Sequence, residues 1–142
     1  MTTQDFSNKI VLVIRKDIGG WQCANTIAHI AAYVGNKLRD SFSTGDVFVT
    51  KDAMKYPRNS QYPIIIKRAG SSEQLKNFLE KVRASNLLYH AFIREMLDYT
   101  DDVELQNAIN IKSDEHVELL GVGIFGPNVK IAALSKKFGL WE

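Results

Sequence analysis

The sequence predicts an α/β fold within one domain spanning residues 1–142. Three observations lead there. Short apolar runs rich in β-branched residues recur four times along the chain. Stretches with helical spacing of apolar residues lie between and after them, giving the order β-α-β-α-β-loop-β-α, the alternation expected of α/β layers. A chain of 142 residues suits one core, which at this size buries roughly two-thirds of the unfolded surface and needs no staple.

The first run, KIVLVIR (Lys9 to Arg15), is almost unbroken and reads as a central strand buried on both faces. Asp17, Gly19 and Gly20 end it. From Trp21 to Leu38 the period turns helical, with Ala24, Ile27, Ala28, Ala31 and Val34 on one stripe, and Gly35-Asn36 supplies a stop signal. GDVFVT (Gly45 to Thr50) fits a short strand or a loop edge. KDAMKYPRNSQY, with Pro57, Asn59 and Ser60, predicts an exposed loop. PIIIKR (Pro63 to Arg68) is the second good strand. Ser71 and Ser72 before Glu73 and Gln74 signal a helix start, and Leu75, Phe78, Leu79 and Val82 share one face behind it. LLYHAFI (Leu87 to Ile93) is the third strand. A polar, acidic stretch follows, with a short helix around Val103 to Ile109. HVELLGVGIF (His116 to Phe125) is the fourth strand. Pro127 suits the first turn of a last helix through Val129, Ala132 and Ala133, before the tail KFGLWE.

Composition excludes several classes. Lys plus Arg is 18 against 16 Asp plus Glu, and a net charge of +2 does not by itself argue for a nucleic-acid partner. Cys23 is the lone cysteine, so no intramolecular disulfide forms, which suits a reducing compartment. MTTQDFSNK lacks the basic and apolar regions of a signal peptide, and no apolar run approaches the roughly 20 residues of a membrane span. A cytoplasmic location away from the membrane is expected. His29, His90 and His116 show no metal-ligand spacing, and no metal or cofactor is called for.

LLGVGIFGPN contains a literal G-x-G-x-x-G at Gly121, Gly123 and Gly126. A dinucleotide fingerprint opens a βαβ unit and needs an acidic residue about 20 positions on, borne by a following strand. Only 16 residues follow Gly126. The alternating glycines instead remove side chains from one strand face so that another element can approach. The alanines of the first helix are the expected partner.

Two segments carry a resemblance. KIVLVIRKDIGGWQCANTIAHIAAYVG is similar to the opening strand and helix of the type 2 peptidyl-tRNA hydrolase fold, and LLGVGIFGPNVKIAALSKKFGLW to its last strand and helix. The chain more closely resembles an uncharacterised, mainly bacterial family of that fold, the two-thousand family of domains of unknown function. Ala24-Asn25 in the small-residue helix and Gly123-Ile124 to Gly126-Pro127 near the end carry this likeness. The resemblance implies a three-layer sandwich with a four-stranded mixed sheet and helices on both faces. It covers the whole chain in element order, and specific motifs only at the two ends.

For the site, the resemblance implies Asn25 where the hydrolases have glutamine, Glu95 or Asp98 for their aspartate, and Thr100 for their threonine. Asn25, Asp98 and Thr100 are thus the candidate catalytic set. The helix histidine falls on Ala28, beside His29. The hydrolases' lysine falls on Trp21, and indole offers one donor and no charge to a substrate phosphate. This departure favours a small-ligand or protein-binding module, or an undefined activity, over ester hydrolysis on peptidyl-tRNA. Independently, Trp21, Gln22 and Asn25 open the first helix beside the carboxyl end of the first strand, the edge where open α/β sheets bind ligands. They form the candidate ligand-binding set. A small molecule or a tRNA-derived substrate is the expected partner, and the fold is compatible with a homodimer. Cys23 and His29, six apart on one helix, cannot meet as nucleophile and base, and a buried inert thiol is expected. Asp98, Thr100, Asp101 and Asp102 suit either a pocket lining or a helix cap.

Overall fold

A computed structural model describes residues 4–142. Four strands form the main sheet: β1 (Asn8–Arg15), β4 (Ile64–Ala69), β5 (Leu88–Ile93) and β6 (Leu119–Pro127), in spatial order β4-β1-β6-β5. β1 runs parallel to β4 and antiparallel to β6, and β5 is antiparallel to β6, so the sheet is mixed. Between β1 and β4 come the helix α1 (Gly20–Leu38) and a hairpin of β2 (Val47–Val49) and β3 (Lys55–Pro57). α2 (Ser72–Arg83) links β4 to β5. Two short helices, α3 (Arg94–Asp98) and α4 (Asp102–Asn110), lead to β6, and α5 (Asn128–Ser135) follows it.

The period-2 pleat of β1 divides the core in two. Ile10, Leu12 and Ile14 point to one face, where Cys23, Ile30 and Val34 of α1 cover them together with Leu120 and Phe92. Val11 and Val13 point to the other, against Leu75, Phe78 and Val82 of α2 and Ile131 of α5. Every one of these side chains is essentially buried. Helices therefore cover both faces, and β1 is the central buried strand its composition predicts.

The helix start at Ser71 forms as expected: its hydroxyl accepts from the Gln74 N–H at 3.2 Å. All four apolar residues assigned to the inner face of α2 are buried. Full burial of each such side chain contributes about 1.5–3 kcal/mol, an upper range because the unfolded chain already hides some surface.

α1 is rotated from the expected stripe. Cys23, Thr26, Ile30 and Val34 are its buried residues, whereas Ala24 and Ala28 face outward. The physical reason lies in β6. A Cβ on Gly123 would sit 2.2 Å from Ile30 Cγ2, and one on Gly121 would sit within 3.0 Å of Ile14, Thr26 and Ile30. The glycines do make room for the first helix. Their partners are a bulky isoleucine and a threonine, and the expected alanines are not among them.

Three further differences are local. Lys55–Pro57, expected in an exposed loop, pairs with β2 as a strand, and Arg58 and Ser60 just beyond it are buried. Arg94–Asp98 is helical where no element was expected. The tail is not loose: the Arg68 N–H donates to Gly139 O and the Trp141 N–H to Ile66 O, each at 3.0 Å, which covers the outer edge of β4. No helix among the described residues is long and apolar enough to cross a membrane.

Candidate functional site

The antiparallel arrangement brings the carboxyl ends of β1 and β5 beside the start of β6, and each carries a charge where its apolar run stops. Arg15 grips Asp17 through two bonds of 2.8 and 2.9 Å and reaches Glu118 at 2.6 Å. Arg94 meets the same Glu118 through two bonds of 3.1 Å. Its third nitrogen lies 3.5 Å from Gln22 Oε1 at the start of α1. The bonds from Arg94 and Arg15 hold the Glu118 carboxyl down to about 2, and the bond from Arg15 lowers Asp17 in the same way. A guanidinium therefore stands near the mouth that Trp21 leaves uncharged. Two cations and two carboxylates balance there, so the cluster braces the sheet end and offers no net positive charge to an anion.

Beside this cluster, along α1 and over β5, runs an open groove of about 900 Å³. α1 contributes Asn25, His29, Tyr33 and Asn36, a stripe at i, i+4, i+8 and i+11 on one side of the helix. β5 contributes His90 and Phe92 from its α1-facing side. The α3–α4 segment supplies the far wall, including Leu97, Tyr99, Thr100 and Asp102. The floor is built of rings: His29 stacks on Phe92 with centroids 5.2 Å apart, and Tyr33 on His90 at 4.2 Å. Burial, with His29 nearby, pushes the His90 imidazole below its ordinary range, so it is neutral at pH 7. Among the described residues, nothing hydrogen-bonds the side chains of Asn25, Asn36 or Thr100. These groups are free to meet a ligand.

Two of the three candidate catalytic residues, Asn25 and Thr100, thus line one groove from opposite sides. Asp98 is exposed and outside the lining, where Asp102 stands instead. Glu95, the other carboxylate suggested by the resemblance, is buried, with one oxygen 2.6 Å from Lys112 Nζ and the other unpartnered. Of the candidate ligand-binding set, Asn25 is in the groove, Gln22 is in the ion cluster and Trp21 is 67% exposed. Asp101 caps α4 by accepting from the Val103 and Glu104 N–H groups. Cys23 is buried, its Sγ 3.3 Å from Arg15 O, and burial raises its pKa. Among the described residues no group of three His, Cys, Asp or Glu side chains is placed to hold a metal.

Sequence reasoning did not assemble His29, Tyr33 and His90. The helical spacing of Asn25, His29 and Tyr33 was visible, but only the sheet order sets β5 opposite that stripe. The charge cluster left a clearer sign: charged residues border three apolar runs, with Arg15 and Arg94 closing theirs and Glu118 standing just before the last.

A family model described as protein of unknown function, DUF2000, matches residues 8–142. The chain belongs to the DUF2000 family. No curated protein matches it. Among solved structures, this DUF2000 chain is similar to a protein of unknown function from Agrobacterium tumefaciens strain C58. The TM-score is 0.82 at 17% identity, over 97% of this chain and 100% of that one. At that identity the likeness speaks for the shared fold alone.

Proposed function

We propose that this DUF2000 chain is a binding protein for a small, flat, polar-edged molecule held in the groove along α1. One observation carries this reading: three elements bring stacked rings and three hydrogen-bonding side chains with no protein partner among the described residues to one concave surface. An apolar, ring-lined floor with a few converging polar groups is the usual chemistry of a small-molecule site. Asn25, Asn36 and Thr100 would fix orientation, and Tyr33 and His29 would supply the flat contact area.

The test is a thermal-shift screen with nucleobases, nucleosides and aromatic carboxylic acids as probes. At least one planar heteroaromatic class should raise the melting temperature, and Asn25→Ala with Tyr33→Ala should abolish the rise. A screen in which no planar probe shifts the midpoint overturns the reading, as does a shift that survives both substitutions.

A second reading is ester hydrolysis on a peptidyl-tRNA-like substrate. The resemblance to the type 2 peptidyl-tRNA hydrolases supports it, as does the meeting of Asn25 and Thr100 in one groove. Arg94 beside Gln22 brings a cation near the position that lacks lysine. The pairing of Arg94 with Glu118 weighs against it, because a neutralised guanidinium holds a phosphate weakly. Turnover of an N-blocked aminoacyl-tRNA, lost in Asn25→Ala or Thr100→Ala, would establish hydrolysis over binding alone.

A further inference from the structure

Two elements of this fold bury nothing of their own. Every residue of β2 and β3 is exposed, and the hairpin pairs with no strand of the main sheet. An isolated two-stranded hairpin is marginal in water. Yet Phe48, Val49, Met54 and Tyr56 stand 47–61% exposed along it. An arm of this composition marks an interaction surface. The second element is α4, which has no buried residue. It carries Val103 at 68% exposure, and the neighbouring Met96, Tyr99 and Ile111 are exposed as well.

The two surfaces are complementary in charge. The arm carries Lys51 and Lys55 against one acid, Asp52. The rim of the groove at α4 carries Asp98, Asp101, Asp102 and Glu104, all exposed. The cations around it are already paired, Arg94 with Glu118 and Lys112 with Glu95. Each molecule therefore holds an apolar arm with a basic trim and an apolar helix with an acidic one.

We propose that the β2–β3 arm of a second copy of this chain packs along α4 and the outer rim of the groove, so that two copies embrace reciprocally. Reciprocal arms give a closed two-fold assembly, which covers both unpartnered surfaces at once. Long-range attraction between Lys51 and Lys55 and the acidic rim sets the register, and the apolar residues of arm and helix supply the buried core. The contact stands on the arm and α4 and does not require a ligand in the groove.

Sedimentation equilibrium of the ligand-free chain tests it. The wild type should be a dimer. Tyr56→Glu should raise the dimer dissociation constant at least about tenfold, as expected for an anchoring aromatic, with an unchanged thermal midpoint at dilutions where both chains are monomeric, because the arm supports no core residue. Lys51→Glu with Lys55→Glu should weaken the dimer, and adding Asp102→Lys with Glu104→Lys should restore part of the loss. A Thr50→Cys copy mixed with a Val103→Cys copy should form a disulfide between chains, since Cys23 is buried and takes no part. A wild type that sediments as a monomer overturns the proposal. So does a dimer indifferent to the arm substitutions, or one in which those two cysteines do not cross-link.

Discussion

A Cβ on Gly123 would fall 2.2 Å from a methyl of Ile30, which is wedged between α1 and the sheet. Because Ile30 is fully buried and cannot swing aside, Gly123→Ala should cost about 1–3 kcal/mol, measured by urea unfolding. His90 acts through its proton. Its folded-state pKa lies below the ordinary value of 6.5. The unfolded chain thus takes up the proton first as pH falls, and stability declines below about pH 6.5. His90→Gln should flatten that decline in a melting-temperature series. Glu118 acts at lower pH. Its carboxyl, at about 2 in the folded chain against an ordinary 4.5, contributes stability that is complete above about 4.5 and lost as pH falls toward 2. Glu118→Gln should reduce the acid sensitivity in that window, read from the same series. Partial exposure of this carboxylate keeps the effect small.

Caps separate the elements by what each helix supports. Ser71 caps α2, whose inner face is core, so Ser71→Ala should lower global stability by about 1 kcal/mol in urea. Asp101 caps α4, which buries nothing. Asp101→Ala should therefore leave the global midpoint nearly unchanged and speed hydrogen exchange in the amides of Asp102–Asn110, since poorly buried elements open locally. The element scale is also where the sequence was most legible. The strands at Lys9 to Arg15 and Leu87 to Ile93 and the helix behind Ser71 each follow from an apolar period and a stop or cap signal. The hairpin was not legible, because Pro57, Asn59 and Ser60 read as loop, and pairing across Phe48 and Tyr56 cannot be seen from either strand alone. α3 was missed because five residues are too few to show a period.

At the scale of the whole molecule, the two edges of the sheet are treated differently. The tail covers β4 through Gly139 and Trp141. Truncation after Phe138 should uncover the β4 edge from Ile66 to Arg68, with faster aggregation in light scattering on heating. The groove is likewise a property of the whole. Its lining comes from α1, β5 and the α3–α4 segment, separated by up to about 80 positions between Asn25 and Leu105, and chain closure over such a distance is decided by the packed core rather than by local signals.

The sequence by itself determined the four strands of the main sheet and the helices α1, α2, α4 and α5, that β1 is buried on both faces, and that glycines in β6 admit a helix. These follow from the local periods of 2 and 3.6 and from the missing Cβ, which act within one element. Only the tertiary structure decided which residues of α1 turn inward, that Arg15, Arg94 and Glu118 meet, and that Asn25, His29, Tyr33, His90 and Thr100 share one surface. A helix stripe can rotate by one position, about 100°, without violating any local rule. Its true setting comes from the shape of the sheet it lands on, here the hollow over Gly121 and Gly123 that receives Ile30.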